Sequence, residues 1–170
     1  MIEKITIERL TEQVEALQAR AAIWELMARY ARAVDEEDDT ELNAIYTEDA
    51  SCETVPWSQG VVRTGKASTV RVFKGYQARF INRKRFITNE IIEVTECDSA
   101  TAWSNWLVLH SNQGDSFVGW GSYDWRFRRD NGVWLIAGMV IHVDCMTTLE
   151  RGWGEASKLL APFPTKSGAD

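Results

Sequence analysis

Between residues 7 and 34 the apolar positions fall in two runs, Ile7, Leu10, Val14 and Leu17, then Ile23, Leu26, Met27, Tyr30 and Val34. Within each run the spacing is by threes and fours, which predicts an amphipathic helix, either one long helix or two joined end to end. The acidic run Asp35, Glu36, Glu37, Asp38 and Asp39 closes it, and Asp39 or Thr40 is placed to cap a short second helix through Ile45 and Tyr46. Gly60 to Gly65 reads as a turn, after which Ala67, Val70, Val72, Phe73 and Phe80 predict a third helix with an ill-defined end. From residue 84 the period drops to two, in segments near 84–96, 99–110, 116–129 and 133–144 separated by CDSA, SNQGD and RDNG. That is the pattern of a four-stranded antiparallel meander. Its best turn is Asp130-Asn131-Gly132, because Asn and Gly accept positive φ where a strand reverses. Short strands are expected near 49–53 and 60–63. Helices first and a long curved sheet afterwards describe an α+β domain in which the sheet wraps the helices. Residues 1–164 are read as one domain and 165–170 as a loose tail.

Composition narrows the chemistry. Forty-five per cent apolar content over 170 residues is enough for one real core. No run of eighteen apolar residues exists and the N-terminus lacks a signal-peptide pattern, so a cytoplasmic protein without a membrane partner is expected. A formal charge of −6 argues against nucleic acid. Cys52, Cys97 and Cys145 are too scattered for a disulfide framework or a metal site, and are read as buried thiols, with Cys145 the one of most interest. Trp24, Trp57, Trp103, Trp106, Trp120, Trp125, Trp134 and Trp153 are an unusual concentration of indoles, which either fill a core or line a site for a bulky ring compound. No GxGxxG, P-loop or GxSxG motif is present and no ligand spacing suggests a metal, so cofactor-free acid and base chemistry on a small hydrophobic or aromatic substrate is the expectation.

The segments IWELMARYARAVDEEDDTELNAIYTEDA, RFITNEIIEVTECDSATAWSNWLVL and GSYDWRFRRDNGVWLIA carry a further signal. An aromatic residue with Asp five positions on, a T-x-D-A opening, a Thr-Asn pair and a final G-x-W hairpin together resemble the SnoaL-like, nuclear-transport-factor-2-like family over roughly residues 20 to 145. The resemblance implies a cone-shaped barrel whose mouth admits small hydrophobic substrates. Its members include dehydratases, a dehydrochlorinase, isomerases, cyclases and an epoxide hydrolase, alongside noncatalytic subunits. In the dehydratases an Asp-His dyad removes a proton while a Tyr and an Arg handle the leaving group, and on that pattern Tyr30 and Asp35 match the tyrosine and aspartate. Where the dyad histidine is expected, this chain has Arg85, which cannot act as a general base but can hold an oxyanion as a fixed cation.

Histidine chemistry would then fall to His142 in the last strand, exchanging roles with Arg85 across the cavity; His110, beside a turn, is expected near solvent. Strand parity puts Gly138, Val140, His142 and Asp144 on one face, and Asn89 on the face of Arg85 and Ile87. Tyr123 shares a face with Trp125 and Phe127, whereas Trp120 and Asp124 face the other way, and either face is open as the pocket lining. Trp57, in the VPW segment, is placed to close the mouth, and Trp106 is a further wall candidate. Three functions follow: a lyase losing water or a small aldehyde such as formaldehyde; an isomerase or cyclase using the same groups; or a binding or scaffold subunit without catalysis. Self-association as a trimer or dimer is expected from the family resemblance and the aromatics on the outer sheet face.

Overall fold

Leu17 and Ile23 are six positions apart, about 1.7 turns of an α-helix, so the two apolar runs cannot share one face. The computed structural model, which describes residues 7–154, shows the consequence. A single helix α1, Ile7–Glu36, buries Ala19, Ile23, Leu26, Met27, Tyr30, Ala33 and Val34 against the body, while Ile7, Leu10, Val14 and Leu17 stand exposed. The short helix α2, Asp39–Ala44, is capped by Asp38 rather than by Asp39 or Thr40: the Asp38 carboxylate accepts the backbone N–H of Glu41 at 2.9 Å. Tyr46 then opens the first strand instead of closing this helix.

The strands are β1 Tyr46–Val55, β2 Arg63–Thr64, β3 Ile81–Val94, β4 Ser99–Asn112, β5 Asp115–Asp130 and β6 Val133–Thr148, with helix α3, Lys66–Gln77, between β2 and β3. They form one sheet in the order β2-β1-β6-β5-β4-β3. The meander β3 to β6 is antiparallel as the period-two pattern requires, and Asn131 and Gly132 both take positive φ in its last hairpin. The sheet is mixed, since β1 runs parallel to β6, and among the described residues β2 and β3 are its edges, so the barrel that the resemblance implies is an open one. Helix α1 packs on β3 and β6, and α3 packs on β1. Among the described residues no helix is long and apolar enough to cross a membrane. The loose tail expected at 165–170 lies outside the described residues.

Irregularities in register locally reset which side chains reach the interior. The β3–β4 ladder shifts between Thr88 and Ile91, and the β5–β6 ladder shifts after Trp120 and after Arg126. Each extra residue reverses the strand's inside-outside alternation beyond it. The face drawn from Gly138 to Asp144 holds from Gly138 to His142, where the β5–β6 ladder is regular, but it is the outer face: Gly138 is buried there beneath the Arg126 and Ser51 side chains, and exposed Asp144 is the extra residue that ends the regular stretch.

Candidate active site

Helix α3 presents Ser68, Arg71, Val72 and Tyr76 on one side by its three- and four-residue spacing, Arg79 follows just past its end, and β4 turns every second side chain from Ala100 to His110 inward. Between them and the inner faces of β1, β5 and β6 lies a cavity of about 600 Å³. Its apolar walls come from Trp57, Val108, Ile141, Val143, Met146 and the indole of Trp106. The Trp106 ring lies across β5 because residue 121 is glycine: a Cβ there would fall 1.9 Å from the His142 carbonyl oxygen and 3.0 Å from the indole. The indole N–H donates to the carbonyls of Ser122 (3.2 Å) and His142 (3.0 Å), which fixes that wall.

Arg85 enters from β3 and is half-buried at the cavity. Its Nη1 donates to the hydroxyl of Tyr30 at 3.2 Å, and that hydroxyl lies 3.3 Å from the hydroxyl of Tyr123. The guanidinium also sits 5.4 Å from the centre of the Tyr30 ring and 5.2 Å from that of Tyr76, within cation–π range of both. Burial opposes its charge, but Tyr123, Tyr30, Tyr76 and Asp35 outweigh burial and hold it a cation. The phenols move the other way. Burial raises Tyr30 and Tyr123 and pushes Tyr76 up to about 12, although Arg85 pulls each of them down, so all three are neutral donors at physiological pH. Burial likewise raises the Cys52 thiol, which lines the cavity, to about 12, so it is not a thiolate.

Asp35, at the end of α1, does not itself line the cavity. Its Oδ2 accepts the backbone N–H of Arg85 at 2.7 Å, which ties the start of β3 to α1, and its Oδ1 is buried with no hydrogen-bond partner. Behind Tyr76 lies a group expected at the surface. His110 is buried, its ring 3.9 Å from that of Phe80 and 5.7 Å from that of Phe117, with Nδ1 3.0 Å from the Tyr76 hydroxyl. Burial, then Arg85 and Arg83, lowers it to about 4, so it is neutral. Nε2 has no partner, and the tautomer that orphans no N–H is the one in which Nδ1–H donates to the Tyr76 oxygen. That frees the Tyr76 O–H for another acceptor.

Of the side chains expected at the site, Arg85, Tyr123, Trp57 and Trp106 line the cavity, and Tyr30 and Asp35 adjoin it. The others are elsewhere. His142 points to the outer face of the sheet, because its neighbours Ile141 and Val143 point in, and its Nε2 lies 2.7 Å from an Asp124 carboxylate oxygen. It cannot exchange roles with Arg85. Asn89 is exposed at the β3 irregularity with φ of 61°, so the extra residue removes it from the face of Arg85. Trp120 stands on the outer side and packs edge-on against Trp153 at 5.6 Å. Trp125 is core rather than lining: it supports Tyr30 and Tyr123 from 5.3 and 4.7 Å and donates to Ser104 Oγ. Cys52 and Cys145 are buried as expected, whereas Cys97 is exposed. Among the described residues no group of three or more His, Cys, Asp or Glu side chains is placed to hold a metal ion.

A family model described as the SnoaL-like domain matches residues 15–140. Solved structures share the fold. The crystal structure of LinA is 20% identical, with a TM-score of 0.73 over 81% of this chain and 93% of that one. A scytalone dehydratase candidate from Novosphingobium aromaticivorans is 20% identical, with a TM-score of 0.72 over 79% and 90%. A protein of unknown function with a cystatin-like fold from Nostoc punctiforme is 25% identical, with a TM-score of 0.60 over 74% and 90%. A search of curated protein sequences returns no match.

Proposed function

This chain belongs to the SnoaL-like domain family, and we propose that it is a cofactor-independent lyase that eliminates water or a small aldehyde such as formaldehyde from a hydrophobic, aromatic, hydroxylated compound. The observation that carries this reading is the Arg85–Tyr30–Tyr123 cluster set into an aromatic cavity. A fixed cation and neutral phenols, partly removed from water, are suited to stabilising an oxygen that gains negative charge as a bond breaks. In a dehydration, Asp35 Oδ1, which adjoins the cavity without lining it, takes the C–H proton through one intervening water, and the released electron pair forms the double bond. The C–O bond breaks as that double bond forms, with Arg85 holding the departing oxygen and a Tyr123 or Tyr76 hydroxyl supplying its proton, which the phenolate regains when the Asp35 carboxyl gives its proton up again. LinA and the scytalone dehydratase candidate share this fold, and their names are consistent with elimination chemistry.

A second reading, a binding subunit without catalysis, is favoured by one observation: no histidine or carboxylate is among the lining residues. Mass spectrometry of wild type and Asp35→Asn, incubated with phenolic diols, hydroxylated steroids and polyketide intermediates, separates the two. The lyase reading expects a product lighter by water or formaldehyde, formed about a hundredfold or more slowly by the variant. A product of unchanged mass would favour isomerisation. Tight binding by both proteins without any product would favour the binding subunit. Self-association through the outer face of β3 and β4, where Phe86, Trp103, Leu107 and Leu109 are exposed, is part of the proposal, and sedimentation reporting only monomer would remove it.

A further inference from the structure

The chain carries twenty-five acidic residues against nineteen basic ones, yet its cavity inverts that balance. Arg63, Arg71, Arg79 and Arg85 line it, and no Asp or Glu does. Arg85 is accounted for by the phenol cluster. Arg63 and Arg71 are not: both are exposed at the mouth, from β2 and α3, and among the described residues neither is ion-paired or hydrogen-bonded to a carboxylate. Cations converging on one apolar cavity repel each other, and a bound anion relieves that cost. A neutral substrate would gain nothing from the arrangement. A guanidinium is also the side chain whose planar fork fits a carboxylate with two parallel hydrogen bonds.

Resting on the reading of this cavity as the substrate site, we propose that the substrate is an aromatic carboxylate. Its ring lies between Trp57 and Trp106 and its carboxylate is held at the mouth by Arg63 and Arg71. Arg85 is left for the oxygen at the reacting end. The acid end is a handle remote from the chemistry, so it fixes which end of the molecule enters first.

Isothermal titration calorimetry with naphthalene-2-carboxylate and the neutral, similarly shaped 2-naphthamide tests this without any need for turnover. Wild type is expected to bind the acid about tenfold or more tightly than the amide, a preference that shrinks as salt is raised. Arg63→Gln/Arg71→Gln is expected to bind both ligands alike, Arg63→Lys/Arg71→Lys to keep part of the preference, and Arg85→Gln to keep most of it. Equal affinities in wild type would overturn the substrate assignment while leaving the lyase reading intact. A preference lost in Arg85→Gln but kept in the Arg63/Arg71 pair would overturn the seat of the carboxylate. Binding of neither ligand would overturn both the inference and the cavity as a binding site for aromatic compounds.

Discussion

Acid should weaken this protein through His110 at a higher pH than through Asp49. The ring is buried between Phe80 and Phe117 and faces the cations Arg85 and Arg83, so the folded state resists its protonation until about pH 4, against 6.5 for a free imidazole. An unfolded chain takes up that proton near 6.5. The contribution to stability is therefore fully present above pH 6.5 and is lost as pH falls toward 4; below that both states are protonated and nothing more is lost. The gap corresponds to about 3 kcal/mol. Asp49, held down to about 2 by Arg128 and Thr47, acts lower, between its unfolded value of 3.8 and 2, so the windows scarcely overlap. Urea denaturation from pH 7 to 4.5 should show the loss in wild type, while His110→Gln, less stable at neutral pH, should lose much less over the same range. An imidazole that titrates near 6.5 by NMR, or a variant with the wild-type acid slope, would refute the reasoning.

Tyr30→Phe keeps the ring against Phe73 and Trp125 and removes only the hydroxyl shared by Arg85 and Tyr123. Both contacts are long, so denaturation should show a loss of about 1–2 kcal/mol, where the range for neutral hydrogen bonds meets that for bonds to charged groups. Gly121→Ala forces a methyl onto the His142 carbonyl and the Trp106 indole, where paired strands leave no room to retreat. It should cost about 2 kcal/mol or more by the same measurement and alter tryptophan emission. His142→Ala, on the outer face, should bind naphthalene-2-carboxylate as wild type does; a large loss by calorimetry would return His142 to the site.

The meander and its Asn131-Gly132 hairpin were legible because alternation and turn chemistry are local properties of the chain. The interior face was legible only as far as each strand stays regular. On β4, which has no irregularity against β5, parity runs unbroken from Ala100 through Trp106 to His110, so the buried histidine was readable from that alternation. The neighbouring SNQGD turn suggested solvent instead. On β3 one extra residue displaced Asn89, whose positive φ an asparagine accepts readily, whereas on β6 the parity of His142 held and what the sequence left open was which face points inward. Tyr76 follows Val72 and Phe73 at helical spacing, but its pairing with His110 joins residues 34 positions apart, which no periodicity reports. Arg85 as a cation in place of a base was legible from the residue itself.

Asp35 holds two roles that a single substitution would confuse. Through Oδ2 it anchors the backbone of Arg85, and through Oδ1 it is the proposed base. Asparagine keeps a carbonyl oxygen able to accept the Arg85 N–H but cannot take a proton; alanine removes both capacities. If the carboxylate acts as base, the two variants should be equally inactive while differing in stability. Asp35→Ala should lose about 1.5–3 kcal/mol for the charge-assisted hydrogen bond, and Asp35→Asn about 1 kcal/mol. If Asp35 only positions Arg85, activity should follow stability instead, with Asp35→Asn retaining most of its turnover. Because the guanidinium hangs from the residue that Asp35 fixes, Asp35→Ala should then raise KM as well as lower kcat, whereas loss of a base lowers kcat and kcat/KM together.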